Sequence, residues 1–312
     1  MPALTPNNLE GSLLPALDQN DLADLIAIMR IQEETTYMVH DYLADKEELR
    51  KLSAKPVDED CRTKMCEWCY HVIDYCKFRR ETVGIGMSFL DRYLCTRKGK
   101  ETLGNRKEYQ LAAMTTLYVA IKMHEPMEIE TSLLADLSHG MYDEMEFVTM
   151  EQTILQTLKF RVNGPTPLGF VQHFMALAPK GIHHRATQLL MDFARFQTEL
   201  VISHQKFVAI RPSEIGFAAI LNALEGIGEN LVSKKDQAAF IRNIEDFSEI
   251  AKEDVEKTQL KLSLLFITLI EGEYEDVLKV ADSFKEEEEP EKLTNGISPS
   301  KALGNLFRRG SK

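Results

Sequence analysis

Cys61, Cys66, Cys69 and Cys76 fall within one short segment of a 312-residue chain that holds five cysteines. Thiolates at that density could hold zinc. Only Cys66 and Cys69 have the C-x-x-C spacing, however, and no second pair follows, whereas a structural zinc takes four ligands from such pairs. Helical periodicity reads the four as small apolar residues in a reducing compartment, with no metal. His183 and His184 are adjacent; on a helix two such residues point about 100° apart, which makes them poor co-ligands. No G-x-x-x-x-G-K-[ST], G-x-G-x-x-G, H-E-x-x-H or G-x-S-x-G occurs, and the kinase signature set is missing. The expectation is a protein with no catalytic residue, no cofactor and no metal.

Charged residues on apolar helices are the remaining chemistry. Arg62 and Asp91 both lie in helical segments rich in apolar residues. An unpaired charge there is costly, so the two are expected to pair. Lys122 and Glu151, from the residues alone, read as a surface ion pair between neighbouring helices.

The elements that must carry these residues are helical. Hydrophobic residues make up 44% of the chain against 11 prolines and 16 glycines, and no alternating runs bounded by hairpin turns occur. Leu22, Leu25, Ile26 and Met29 recur at three- and four-residue steps and open a helix expected to run over about 20–44, before a charged stretch at 45–55. Pro56 and the acids Asp58, Glu59 and Asp60 begin the next helix. Helices follow over about 81–95, 106–124, 131–138 and 144–160, with a basic, glycine-containing linker at 96–105. After Gly164-Pro165 the plan repeats in helix count and length: 167–177, 182–203, 213–223 capped by Ser213, 233–249 and 253–271. From Ser283 the composition turns to blocked charge and low hydrophobicity, read as a disordered tail over 283–312.

Bulk charge narrows the partners. With 49 acids against 37 bases the net charge is −12, which gives no global reason to bind nucleic acid or anionic lipid. No apolar run of about 18 residues exists, and residues 1–20 hold two acids and no Lys or Arg, unlike a signal peptide. An intracellular address, in the nucleus, the cytoplasm or both, is expected.

Four separated motifs carry a family resemblance. Arg62 stands six residues before Trp68; Leu90-Asp91-Arg92-Tyr93-Leu94 follows on the next helix. Gln110-Leu111 and Ala120-Ile121-Lys122 with Glu125 lie on the third, and Glu151, Leu155 and Leu158-Lys159-Phe160 on the fifth. Their order and placement resemble the cyclin box. The resemblance implies an all-α fold of two consecutive five-helix cyclin-box domains: an N-terminal segment and helix over 1–55, a first box over 56–163 and a second over 164–275. In the second half it rests on Arg211-Pro212-Ser213-Glu214-Ile215 and Ala218-Ala219.

What the family implies is a non-catalytic subunit that binds and activates a cyclin-dependent kinase in cell-cycle control. Arg62 and Asp91 would tie the first two box helices together. Lys122 and Glu151 would hydrogen-bond the kinase, ringed by Met123, Leu155, Phe160 and Val162. Cys61, Met65, Trp68, Tyr109 and Gln110 match a patch that docks kinase substrates or inhibitors, although Lys64 and His71 depart from the usual pattern and change its shape and charge. Ser298-Pro299-Ser300-Lys301 resembles a target of such kinases. Glu33-Glu34, Tyr37 and Tyr42-Leu43 are similar to the lead-in of the G1 (D-type) group. No Arg-x-x-Leu or Lys-Glu-Asn destruction signal and no Leu-x-Cys-x-Glu motif occurs. The alternative is a cyclin-box adaptor or scaffold in transcription, against which the acidic balance argues.

Overall fold

The computed structural model describes residues 19–282, with side chains over 20–269. Every regular element among them is helical. The order is α1 (Gln19–Glu34), α2 (Lys46–Leu52), α3 (Glu59–Cys76), α4 (Glu81–Leu94), α5 (Arg97–Thr102), α6 (Arg106–His124), α7 (Thr131–Leu137) and α8 (Glu144–Thr157). Then come α9 (Pro167–Met175), α10 (His184–Leu200), two 3-10 turns (Val201–Ser203 and Gln205–Phe207), α11 (Pro212–Ile227), α12 (Lys234–Ser248) and α13 (Lys252–Asp282).

Helix starts follow local chemistry. The side chains of Asp45, Asp58, Asn105, Thr166 and Ser233 accept backbone N–H bonds at the starts of α2, α3, α6, α9 and α12. Asp143 and Glu146 form a reciprocal capping box at α8. The linker expected at 96–105 is partly helical: α5 is a short turn capped by Thr96. Gly99 makes it fit, since a Cβ there would lie 1.9 Å from the Tyr93 carbonyl oxygen. The first half therefore carries six helices from α3 to α8, one more than expected.

Two hydrophobic cores result. Val72, Phe89, Tyr93, Tyr109, Phe147 and Ile154 belong to the first; Phe170, Phe174, Phe193, Ile220 and Phe240 belong to the second. Each half buries its third long helix on nearly all sides: Leu111 to Ile121 in α6, and Ser213 to Ile220 in α11. The repeat that the residues show only as helix count thus reappears as a burial pattern.

α1 breaks the expected order. It stops at Glu34, short of Tyr42, and Leu22, Ile26 and Met29 pack into the second core. Burying such side chains contributes roughly 2 kcal/mol each, enough to hold a helix that is marginal alone. Tyr42 and Leu43 belong to the first core. One straight helix cannot serve both, and the chain turns at 35–37, where the Tyr37 N–H bonds the Gln32 carbonyl at 2.9 Å.

Polar bonds seat α1. Glu33, 2% exposed, accepts from the Ser213 N–H at 2.9 Å and hydroxyl at 2.5 Å. Arg30 adds bonds to Glu33, to Ser213 and, at 3.2 Å, to the Ser248 carbonyl. Arg211 reaches Glu34, Glu214 and Asp254. Ser213 was the expected cap of α11. That helix starts instead with Arg211 as cap residue and Pro212 in its first turn, and the Ser213 hydroxyl, inside the helix, donates to Glu33 and accepts from Arg30.

Candidate functional site

α3 and α4 bring Arg62 and Asp91 together. The guanidinium bonds both carboxylate oxygens, through Nη1 and, at 3.0 Å, Nη2. Exposure is 3% for Arg62 and 8% for Asp91. The Tyr42 hydroxyl accepts from Arg62 and donates to Asp91, each at 2.8 Å. Arg62 Nη2 also donates to the Ile202 carbonyl at 2.8 Å. Burial alone would lower the Arg62 pKa; Asp91 and then Tyr42 outweigh it and raise it. Tyr42 and Ile202 lie outside the helices that carry the pair, and no spacing in the chain signals them. Through them the pair links the segment after α1, the first core and the turn after α10.

Lys122 at the end of α6 and Glu151 in α8 face each other, Nζ to Oε1 at 2.8 Å. Their side chains are 34% and 15% exposed. Lys122 Nζ also lies 4.9 Å from the centre of the Tyr118 ring. Burial pulls the Lys122 pKa down, but the hydrogen bond and charge of Glu151 raise it overall.

The apolar positions named with this pair divide. Met123 and Phe160 are open, at 50% and 66%, while Leu155 and Val162 are half-buried against the first core. The end of α8 sets this display. The Phe160 N–H bonds the Leu155 carbonyl at 2.8 Å and the Lys159 N–H bonds the Gln156 carbonyl at 3.0 Å, a Schellman termination. Lys159 and Phe160 take φ of 53° and 56°, the left-handed region that costs a residue with a Cβ about 1–2 kcal/mol. Met127, Leu133, Met141 and Met145 are also exposed, on α7, its flanking connections and the first turn of α8. They show no periodicity, so only the fold reveals them.

The third group is less open. Met65 and Tyr109 are buried, at 8% and 1%; Cys61, Trp68 and Gln110 stay half-buried. Gln110 accepts from the Tyr142 hydroxyl at 3.3 Å. Burial pushes the Cys66 thiol up to about 12 and the Cys69 thiol well above its usual value, so both are protonated, unreactive core thiols near neutral pH. Among the described residues no cluster of three or more His, Cys, Asp and Glu could hold a metal, and no helix is long and apolar enough to cross a membrane. Ser298 and the tail over 283–312 lie outside the described residues.

Two tandem all-helical halves, with Arg62 paired to Asp91 and Lys122 to Glu151, define a class. Residues 24–163 match the family described as cyclin, N-terminal domain, and residues 165–278 match cyclin, C-terminal domain. The chain belongs to the cyclin family. Its relatives are cell-cycle cyclins. G1/S-specific cyclin-D1 of Danio rerio is 25% identical over 238 residues, covering 76% of this chain and 76% of that protein. G2/mitotic-specific cyclin-B3 of Gallus gallus is 25% identical over 67% of this chain, and cyclin-B2 of Rana japonica 28% over 61%. The chain spans about half the length of these B-type relatives, 49% and 47%. The solved viral cyclin from herpesvirus saimiri is 16% identical, with a TM-score of 0.50 over 73% of this chain and 96% of that one; a likeness at this level shows the fold alone.

Proposed function

We propose that this chain is an activating, non-catalytic subunit of a cyclin-dependent kinase in cell-cycle control, of G1 type, acting in the nucleus, the cytoplasm or both. The observation that carries the reading is the Lys122–Glu151 pair. Met123 follows Lys122 in the chain and Leu155 comes one turn after Glu151 on α8; Leu155 and Val162 are half-buried, while Met123 and Phe160 are open. A charge pair that is still partly open, 34% at Lys122 and 15% at Glu151, would be desolvated when a partner covers it, and with apolar side chains displayed nearby in the chain it would then have the make-up of an interface hot spot. Charge-assisted bonds to kinase backbone would set orientation, and the apolar surface would receive a kinase helix. Such a subunit activates by binding the active arrangement of its partner more tightly, and only by that difference. The G1 assignment rests on the lead-in residues and on the cyclin-D1 match, which spans equal shares of both proteins. Arg62 and Asp91 would hold the box in shape, and the half-open Trp68, Cys61 and Gln110 would contribute to docking of substrates or inhibitors.

The test is affinity capture from cell extract with wild type and the Lys122→Ala/Glu151→Ala double variant, reading histone kinase activity on the beads and identifying the kinase by mass spectrometry. Activity on wild type and none on the double variant is the expected result. Equal activity on both would move the docking face elsewhere, and no activity on either would favour an adaptor or scaffold.

A further inference from the structure

Arg92 and Arg161 are two neighbouring cations with no ion-pair partner among the described residues. Arg92, at the end of α4, is 6% exposed. Its Nη1 donates to the Arg161 carbonyl at 2.7 Å, and its guanidinium lies 4.4 Å over the Tyr37 ring. Arg161 Nη1 donates to the Thr36 hydroxyl at 3.2 Å. Tyr37 in turn packs on Gly164, where a Cβ would come within 2.4 Å of the ring. The exit of α1, the end of α4 and the connection between the two halves therefore meet at one point.

Other arginines set into the fold have carboxylates: Arg62 has Asp91, Arg30 has Glu33, and Arg211 has Glu34, Glu214 and Asp254. No ion pair joins Arg92 or Arg161 to a carboxylate among the described residues, in a chain of net charge −12. Burial first, and then the Arg161 charge, push the Arg92 pKa down. The one exposed hydroxyl bonded in this cluster belongs to Thr36. A dianion on that oxygen would neutralise the two cations, and guanidinium forks match phosphate oxygens in pairs.

We propose that Thr36 is a phosphorylation site whose phosphate is held in cis by Arg161, with Arg92 behind it. A separate kinase supplies the group from a nucleoside triphosphate. The Thr36 oxygen bonds the γ-phosphorus, the bond from that phosphorus to the β–γ bridging oxygen breaks, the diphosphate leaves, and the hydroxyl proton passes to the kinase's base. Tyr37 follows Thr36 and Glu33-Glu34 come shortly before it, so the sequence is not that of a proline-directed target. Arg161 lies between Phe160 and Val162, so a phosphate gripping it would pin the exit of α1 to the segment that displays those two side chains. The proposed site stands whether or not that face binds a kinase.

The experiment incorporates phosphothreonine at position 36 of the full chain, alone and with Arg161→Gln, and follows the phosphate by phosphorus-31 NMR across pH. A phosphopeptide of residues 33–39 gives the reference, expected near pH 6. Cations in contact favour the dianion, so the midpoint in the protein should fall by at least about one unit, a tenfold preference. Arg161→Gln, an exposed change that leaves the fold intact, should return most of that shift. A midpoint equal to that of the peptide would overturn the proposal. So would a shift that survives Arg161→Gln, or binding of free inorganic phosphate by the unmodified chain that Arg161→Gln abolishes, since that would make the occupant an external anion.

Discussion

Asp91→Asn keeps the shape of the Arg62 site and removes its negative charge. The carboxylate accepts two bonds from Arg62 and one from Tyr42. A bond to a charged group contributes about 1.5–3 kcal/mol against about 0.5–1.5 for a neutral one. Across three bonds the loss comes to about 3–4 kcal/mol, in line with the 3–5 kcal/mol typical of breaking a buried pair from one side. A domain holds about 5–15 kcal/mol in all, so the first half should unfold at much lower denaturant. Tyr42→Phe leaves Arg62 and Asp91 facing each other and should cost only about 1–2 kcal/mol. Arg62→Met combined with Asp91→Leu should cost clearly less than the two single changes added, because neither charge is then stranded. Equilibrium unfolding in urea, fitted with separate transitions for the two halves, measures all of these. An Asp91→Asn cost below about 1 kcal/mol, or a double variant as damaged as the sum of its parts, would refute the reasoning.

Two further outcomes follow from the geometry. Burial raises the Glu33 pKa above its ordinary value, against the bonds from Ser213 and Arg30. The native state therefore holds that proton to higher pH than the unfolded chain, and the Glu33 contribution to stability falls as pH rises from about 4.5 through the raised value. Glu33→Gln removes that component, so the stability difference between wild type and variant should shift in favour of Gln across the window, read by thermal unfolding from pH 4 to 7; a constant difference would contradict the assignment. Lys159→Gly relieves a left-handed backbone position and should raise stability by about 0.5–1 kcal/mol in urea unfolding, whereas destabilisation would mean that the Schellman turn needs the lysine.

Much of the fold is legible in the chain because its signals are local. Capping residues, prolines, the Gly164-Pro165 break and helical periodicity act within a few residues, so the long helices lie where those signals put them. Leu90-Asp91-Arg92-Tyr93-Leu94 and its companion motifs carried the family for the same reason, and Lys122 and Glu151 were singled out by their place in them. The misplacements come from contacts far apart in sequence. α1 stops at Glu34 because its apolar stripe serves the second core while Tyr42 serves the first. Ser213 lies inside the first turn of α11 and donates its N–H and hydroxyl to Glu33, 180 positions away. The Tyr42 and Ile202 bonds to Arg62 and the meeting of Arg92, Arg161 and Thr36 join segments that no short-range pattern relates. Residue types and spacing marked most of the long helices, though not the short α2 and α5, and singled out charges that could pair; the packing of two cores, with α1 laid on the second and Tyr42 in the first, decided which of those charges meet.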